Sequence, residues 1–306
     1  MKIALKIDVD TYRGTREGVP RLIETLQRHQ AGATFLFSLG PDHTGRAVRR
    51  AFRPGFMKKV SRTSVLEHYG IVTLLYGTLL PGPDIGVRCA DILRSVRDAG
   101  FETGVHTWDH VKWQDGVAGA DAAWTLDQMQ RACDRYEQIF GERPHVHGAA
   151  GWQMNRHSYR LTQKMGFQYC SDTRGNQPFI PVINGELIVC PQLPTTLPTL
   201  DELIGVDDIT VDNVADHLLR LSADGRASGH VYTLHAELEG MKLLPVFERL
   251  LDGWRNAGHE LVSLHDYHQA FEPTTLPRHV VVDGEIAGRS GTLSLQKGEF
   301  LADAGI

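Results

Sequence analysis

The segment Lys2-Ile-Ala-Leu-Lys-Ile-Asp-Val-Asp10 is a short apolar run that ends in two carboxylates. Residues 16–29 follow with apolar side chains at helical spacing, which predicts an amphipathic helix. Residues 33–38, Ala-Thr-Phe-Leu-Phe-Ser, then predict a second buried strand. Strand, helix and strand in this order are typical of the βαβ unit of a parallel sheet.

The same alternation resumes after residue 85 and continues to residue 270. Helices are predicted over residues 86–98, 120–140, 155–164, 211–221, 243–254 and 264–270. Strands are predicted over residues 102–105, 145–148, 168–171, 230–234 and 260–262. Six or more βα repeats favour a closed or nearly closed (β/α) barrel over an open sheet, so we predict the α/β fold class.

The length of 306 residues suits one barrel domain with insertions. We assign residues 1–272 to this barrel and treat residues 41–83 as an insertion within it. A second irregular excursion covers residues 179–205 and is rich in proline. Residues 273–306 form a C-terminal tail whose fold the sequence pattern does not predict.

The composition is that of a globular protein, with 42% hydrophobic and 23% charged residues. A net charge of −5 excludes a globally basic nucleic-acid binder, and we predict no nucleic-acid partner. The four cysteines show no Cys-x-x-Cys spacing, which favours buried free thiols in a cytoplasmic protein. The N-terminal segment lacks the layout of a signal peptide, and no apolar run has the length of a membrane-spanning helix.

The segment Gly104-Val-His-Thr-Trp-Asp-His110 places two imidazoles four residues apart. If the segment begins a helix, both rings share one face and can bind one metal ion. Such a pair also occurs on helices that bind no metal. The carboxyl ends of barrel strands open at one mouth, so we expect Asp8, Asp10, His106 and the strand-end His235 to converge.

Four motifs, in this order, resemble the polysaccharide deacetylase family with the NodB-homology fold. They are Ile7-Asp-Val-Asp10, Ala33-Thr-Phe-Leu-Phe37, His106-Thr-Trp-Asp-His110 and Thr233-Leu-His235. The resemblance implies a distorted (β/α) barrel and a metal-dependent amide hydrolase. By motif position it implies Asp10, His106 and His110 as ligands of one divalent ion, for which Zn, Co and Mn are all suitable. Asp8 resembles the general base of the family, and His235 resembles its general acid.

The third motif departs from the family. An arginine is usual there, whereas this chain reads His147-Gly-Ala-Ala-Gly-Trp152, so another residue must orient Asp8, and Arg174 is a candidate. At the fourth motif position, Asp172 resembles the catalytic carboxylate that orients His235. The alternative for Asp172 is a cap at the end of a strand.

Longer stretches, from Ile7-Asp-Val-Asp-Thr-Tyr-Arg13 near the start to Ile286-Ala-Gly-Arg289 in the tail, resemble one branch of the family. That branch removes the formyl group from a 4-formamido-arabinose carried on undecaprenyl phosphate. The product is used to modify lipid A, which gives resistance to polymyxin. The resemblance implies a deformylase whose partner is a polyprenyl-phosphate-linked amino sugar. We predict substrate contacts for Arg13, Trp108, Trp152, Arg174 and Glu237, although buried tryptophans are more often core residues.

The insertion carries a basic segment. Residues 43–66 contain no acidic residue but seven cations interleaved with apolar side chains. Such segments bind anionic lipid, so we predict a peripheral position on the cytoplasmic face of the bacterial inner membrane. The predicted membrane contacts are Arg49, Arg50, Phe52, Arg53, Phe56, Lys58 and Lys59. The alternative is a solvated basic face packed on the barrel.

Three other functions remain open from the sequence. The first is an N-deacetylase of another amino sugar or polysaccharide. The second is a non-haem Fe(II) oxygenase, since two histidines and a carboxylate also suit iron. The third is a lipid-binding protein without catalysis.

Overall fold

The computed structural model describes residues 1–47, 71–289 and 291–301. The seven residues predicted to contact the membrane lie outside these described residues. No helix of the described ranges is long and apolar enough to cross a membrane.

Eleven strands and eleven α-helices are described. The strands are β1 (Lys2–Val9), β2 (Thr34–Ser38), β3 (Glu102–Thr107), β4 (Val146–His147), β5 (Tyr169–Cys170), β6 (Ile180–Ile183), β7 (Glu186–Leu187), β8 (His230–His235), β9 (Glu260–Val262), β10 (Arg278–Gly284) and β11 (Leu293–Glu299). The helices are α1 (Val19–Arg28), α2 (Ile71–Leu75), α3 (Ile85–Arg88), α4 (Ala90–Asp98), α5 (His110–Gly116), α6 (Ala122–Phe140), α7 (Arg156–Lys164), α8 (Leu200–Leu203), α9 (Val214–Leu221), α10 (Leu244–Asn256) and α11 (Leu264–His268).

Seven parallel strands form the main sheet, in the order β5-β4-β3-β2-β1-β8, with β9 also paired to β1. Strand β1 is central, and all of its residues after Lys2 are buried. Its successive side chains face opposite sides of the sheet. Ile3, Leu5 and Ile7 pack in the core with the helices, whereas Ala4 packs with Leu36 among side chains from other strands. The predicted alternation of strands and helices is therefore confirmed.

An extended segment of the proline-rich excursion lies between β5 and β8. The backbone N–H of Leu193 donates to the carbonyl of Cys170 on β5, at 2.7 Å. The N–H of Thr196 donates to the carbonyl of Val231 on β8, at 3.0 Å. The segment thus bridges the two edge strands by backbone hydrogen bonds, as expected for a distorted (β/α) barrel.

The tail forms a second sheet with strands from the proline-rich excursion. Its order is β11-β10-β6-β7, with β10 parallel to β6 and antiparallel to β11. The backbone of Arg174 bonds to Ser294 and Gln296, at 2.9 and 2.8 Å, and this holds β11 against the barrel. The sequence predicts no fold for this tail, because its pairing partners lie about a hundred residues earlier in the chain, beyond the range of local sequence patterns.

All four cysteines are buried and free, as predicted. Cys170 and Cys190 are neighbours, with their sulfur atoms 3.6 Å apart.

Candidate active site

The carboxyl ends of β1, β3 and β8 bring the predicted residues together. Asp8 on β1 is directly opposite His235 in the β1–β8 register, and Asp10 follows the end of β1. His106 lies near the end of β3. The expected convergence at one mouth of the barrel is found.

Asp10 lies between the two imidazoles. Its Oδ1 atom is 3.2 Å from His106 Nε2, and its Oδ2 atom is 3.3 Å from His110 Nε2. The two rings stack with their centroids 5.4 Å apart. One ligand atom from each of these three residues lies within 4.8 Å of the others, so the group could hold a metal ion.

The two histidines do not share one helical face, the arrangement considered from their spacing. His106 belongs to β3, whereas His110 is the first residue of α5. Asp109 caps this helix, since its carboxylate accepts the N–H of Lys112 at 3.0 Å. A strand-to-helix turn, and not one helical face, brings the two rings together.

The chemistry of the donor set fits a cation. His106 Nδ1 donates to the carbonyl of Gly148 at 2.6 Å, which leaves the Nε2 atom of the neutral ring as an acceptor. This atom faces Asp10 Oδ1, a buried acceptor with no hydrogen-bond partner among the described residues. Two buried acceptors repel each other unless a cation binds both, so the group suits a divalent metal ion.

The electrostatic setting of Asp10 agrees with this role. Burial alone raises the pKa of the Asp10 carboxyl, but the neighbouring imidazoles of His110 and His106 outweigh it and hold the pKa well below its usual range. The group is therefore an ionised carboxylate, which is the form that binds metal ions.

Asp8 is almost fully buried beside this group and contacts a lysine. Its Oδ2 atom lies 3.4 Å from Lys6 Nζ, whereas Oδ1 has no hydrogen-bond partner among the described residues. Oδ1 is thus left to accept a proton. Lys6 has no role in the sequence prediction, although Lys6, Asp8 and Asp10 occupy alternate positions of one chain segment and so share a face of the strand.

His235 lies across the mouth and is surrounded by carboxylates. Its backbone N–H donates to Glu239 at 2.9 Å. Burial lowers the pKa of the imidazole, but the charges of Asp201, Asp10 and Glu239 outweigh it and raise the pKa to about 9. His235 is therefore protonated at neutral pH. Asp201 is the charge that raises this pKa most. Like Lys6, Asp201 has no role in the sequence prediction.

Asp172 does not occupy the predicted position beside His235. Its Oδ1 atom accepts from His147 Nδ1 at 2.7 Å and from the Ala149 N–H at 2.8 Å. Its Oδ2 atom accepts from Gln192 at 3.0 Å. The carboxylate is fully buried and joins the ends of β4 and β5, so the expected contact with His235 is replaced by a contact with His147.

The two tryptophans predicted to contact the substrate are buried. Trp152 is 1% exposed, and Trp108 is 7% exposed. The Trp108 ring packs under the guanidinium groups of Arg131 and Arg135, with 4.4 and 5.2 Å to its centroid. Because both rings are covered by protein groups, the predicted contacts of these rings with the substrate do not fit the structure.

Arg174 and Glu237 are also engaged by protein groups. Arg174 donates two hydrogen bonds to Glu202, at 2.7 and 2.9 Å, and therefore does not orient Asp8. Glu237 is 2% exposed, and its Oε1 atom accepts the backbone N–H groups of Asp10 and Thr11, at 2.9 and 2.7 Å. Glu237 thus stabilises the loop after β1. Burial and the charge of Asp10 raise the pKa of its carboxyl to about 8.

Arg13 is the N-cap of a short helical segment, Gly14–Gly18, that follows this loop. It forms an ion pair with Glu17 at 3.2 Å and keeps about a third of its side chain exposed. Of the five predicted substrate contacts, Arg13 is thus the one whose position allows a role in binding.

The sequence profile of the polysaccharide deacetylase family matches residues 2–170. A protein of Shewanella sediminis is 40% identical over 96% of this chain and 94% of its own length. The chain belongs to the polysaccharide deacetylase family.

The curated relatives share a more specific name. The Shewanella protein is named "probable 4-deoxy-4-formamido-L-arabinose-phosphoundecaprenol deformylase ArnD". A protein of Wigglesworthia glossinidia brevipalpis with the same name is 31% identical over 93% of this chain and 98% of its own length. The fold agrees with these likenesses. A crystal structure from Mycobacterium smegmatis, named for the polysaccharide deacetylases, superposes with a TM-score of 0.61 at 17% identity, over 93% of this chain and 95% of that one.

Proposed function

We propose that this protein is a metal-dependent deformylase. It hydrolyses the formamide of 4-deoxy-4-formamido-L-arabinose linked to undecaprenyl phosphate, releasing formate and the 4-amino sugar lipid. The observation that carries the proposal is the 40% identity, over nearly the whole of both chains, to a relative that bears this name. The site supports the same chemistry, because two carboxylates and three histidines meet at one mouth of the barrel.

Asp10, His106 and His110 are the residues that would hold the divalent ion. When bound, such an ion would polarise an amide carbonyl. It would also lower the pKa of a water molecule, so that the water becomes a nucleophile at neutral pH. Zn, Co and Mn all suit one carboxylate and two imidazoles.

Asp8 and His235 move the protons of the reaction. Asp8 Oδ1 takes one proton from the attacking water as its oxygen bonds to the formyl carbon. The C–N bond then breaks, and His235 donates a proton to the departing nitrogen. His235 has the charge that its role requires at the start, since a protonated imidazole can donate the proton.

The substrate and the place of action follow from the relatives and from the insertion. The relatives' name supplies the lipid-linked formamido sugar. The segment of residues 43–66, with seven cations and no acidic residue, suits the anionic surface in which such a lipid is embedded. We therefore propose that the protein acts as a peripheral protein at the cytoplasmic face of the inner membrane, with Arg13 near the phosphate.

The test is a formate-release assay with the polyprenyl-phosphate-linked formamido sugar. The purified protein is stripped of metal and then reloaded with Zn, Co or Mn in turn. We expect formate release that depends on the ion, and no acetate release from N-acetylated chitin oligomers in parallel reactions. Acetate release without formate release would favour the N-deacetylase alternative.

A further inference from the structure

Strand β1 places one more charged group at the general base. Lys6 is two residues before Asp8, and its side chain therefore lies on the same face of the strand. The lysine is fully buried, and its ammonium lies 3.4 Å from Asp8 Oδ2. It also donates to the backbone carbonyl of Ser171 at 3.1 Å.

A buried ammonium is costly unless charged and polar groups compensate for its lost hydration. Here burial lowers the pKa of Lys6, while Asp8 and then Asp172 oppose this shift. Asp172 is held by its own hydrogen bonds to His147 and Gln192. Asp8 is therefore the only one of the two carboxylates that forms an ion pair with Lys6 among the described residues.

The segment after β4 leaves room for the lysine. A Cβ atom at Gly148 would collide with Leu36 and would lie 3.0 Å from Lys6 Cε. The carbonyl of the same glycine holds His106. The segment 147–152 contains no lysine or arginine of its own. It leaves space at Gly148 for the Lys6 side chain, which comes from β1.

The Trp152 ring also lies close to the ammonium. Lys6 Nζ lies 5.0 Å from the centroid of this ring, and the guanidinium groups of Arg174 and Arg289 lie 5.0 and 4.5 Å from it. Glu202 pairs with both arginines. Because both arginines pair with Glu202, it is Lys6 that forms the ion pair with Asp8.

We infer that Lys6 is the positioning residue of the general base. Its ammonium binds Asp8 Oδ2 and so turns Oδ1, the oxygen without a hydrogen-bond partner among the described residues, toward the place where water loses its proton. The inference rests on the proposed function for its catalytic part. Lys6 takes the role for which Arg174 is the candidate from the sequence.

The first test compares Lys6→Met with Lys2→Met, which makes the same change on the same strand at a lysine that bonds to the Asp266 carbonyl, away from the base. We expect Lys6→Met to lower kcat about 10²-fold with KM within about twofold, since it misplaces the base without removing a substrate contact. Its bound metal should equal that of the wild type, and Lys2→Met should leave both constants unchanged. A kcat close to the wild-type value, or a loss confined to KM, overturns the inference. If Lys6→Met does not fold, Lys6→Gln, which keeps a donor for the Ser171 carbonyl, takes its place.

The second test needs no substrate. Thermal unfolding of the metal-free wild type, Lys6→Met, Asp8→Asn and the double variant forms a double-mutant cycle. We expect the double variant to lose less stability than the sum of the single variants, because each single change leaves its partner unpaired. Additive losses overturn the pairing. A wild type that releases no formate contradicts the proposed function, and the unfolding cycle still decides whether Lys6 pairs with Asp8.

Discussion

His106 Nδ1 lies 2.6 Å from the carbonyl oxygen of Gly148, so the segment after β4 orients a histidine that belongs to β3. In the neutral ring this hydrogen bond places the proton on Nδ1 and turns the Nε2 atom toward Asp10. A backbone carbonyl of a neighbouring segment therefore orients this residue of the site. The roles of the groups around it can be separated by single substitutions.

Asp8→Asn should separate turnover from metal binding. The amide fills the same space but accepts no proton, so we expect kcat to fall by about 10²–10⁴-fold. Metal content should remain that of the wild type, because Asp10 and the two histidines are unchanged. Formate release and elemental analysis of the same preparation check both expectations, and normal turnover would exclude Asp8 as the base.

His110→Ala should lose the metal together with the activity. Its Nε2 atom is one of the three ligand atoms grouped around Asp10, and two remaining ligands bind a divalent ion weakly. The matched control is His145→Ala, which removes an exposed histidine before β4. We expect full metal content in the control. Unchanged metal binding in His110→Ala would show that the ion is held elsewhere.

The barrel was predictable because strand and helix periodicities are local properties of the sequence. The convergence of Asp8, Asp10, His106 and His235 was predictable because the carboxyl ends of barrel strands open at one mouth. The contacts of Asp172 and Trp152 were not, since they depend on side-chain rotamers and on a tail that docks from far along the chain. Lys6 is an intermediate case. Its alternation with Asp8 and Asp10 was visible, but only its complete burial shows that it must be paired.

Asp201→Asn should shift the pH dependence of turnover. The acid His235 must be protonated, and its pKa of about 9 predicts that kcat/KM falls as the pH rises through that value. Asp201 is the charge that raises this pKa most, so its loss lowers the pKa and moves the alkaline limb to lower pH. The exposed Asp208→Asn is the control. An alkaline limb that stays in place would exclude Asp201 as the charge partner of His235.

Asp172→Asn should lower the free energy of unfolding. Burial raises the pKa of this carboxyl, but His147 and Gln192 outweigh it and hold the pKa below its usual value. A carboxyl whose pKa is lowered by folding stabilises the protein at pH values above its pKa in the unfolded chain. This contribution is lost as the pH falls through its pKa in the folded protein. We expect a loss of about 1–3 kcal/mol at neutral pH, because buried hydrogen-bond donors lose their charged acceptor. The difference in unfolding free energy from the wild type should shrink in acid.

The same variant also tests whether Asp172 acts on His235, as predicted from the sequence, or only on His147, which it contacts in the structure. Because the carboxylate bonds to His147 at 2.7 Å, the alkaline limb of the Asp172→Asn pH profile should match that of the wild type. A limb displaced as in Asp201→Asn would restore the catalytic role predicted for Asp172 from the sequence.

Charge reversal of the insertion should release the protein from membranes. We expect Arg49→Glu, Arg50→Glu and Arg53→Glu together to abolish co-sedimentation with vesicles that contain anionic phospholipid, since each lost cation removes about 1 kcal/mol of attraction and each new anion adds repulsion. Reversal of Arg21, Arg156 and Arg220, three exposed arginines elsewhere on the barrel, changes the net charge equally and should leave binding intact. Formate release from a detergent-dispersed substrate should stay close to the wild-type rate in both variants, because the insertion acts on the surface and the active site is unchanged. Equal vesicle binding by the two variants would mean that the basic segment is a solvated face of the barrel.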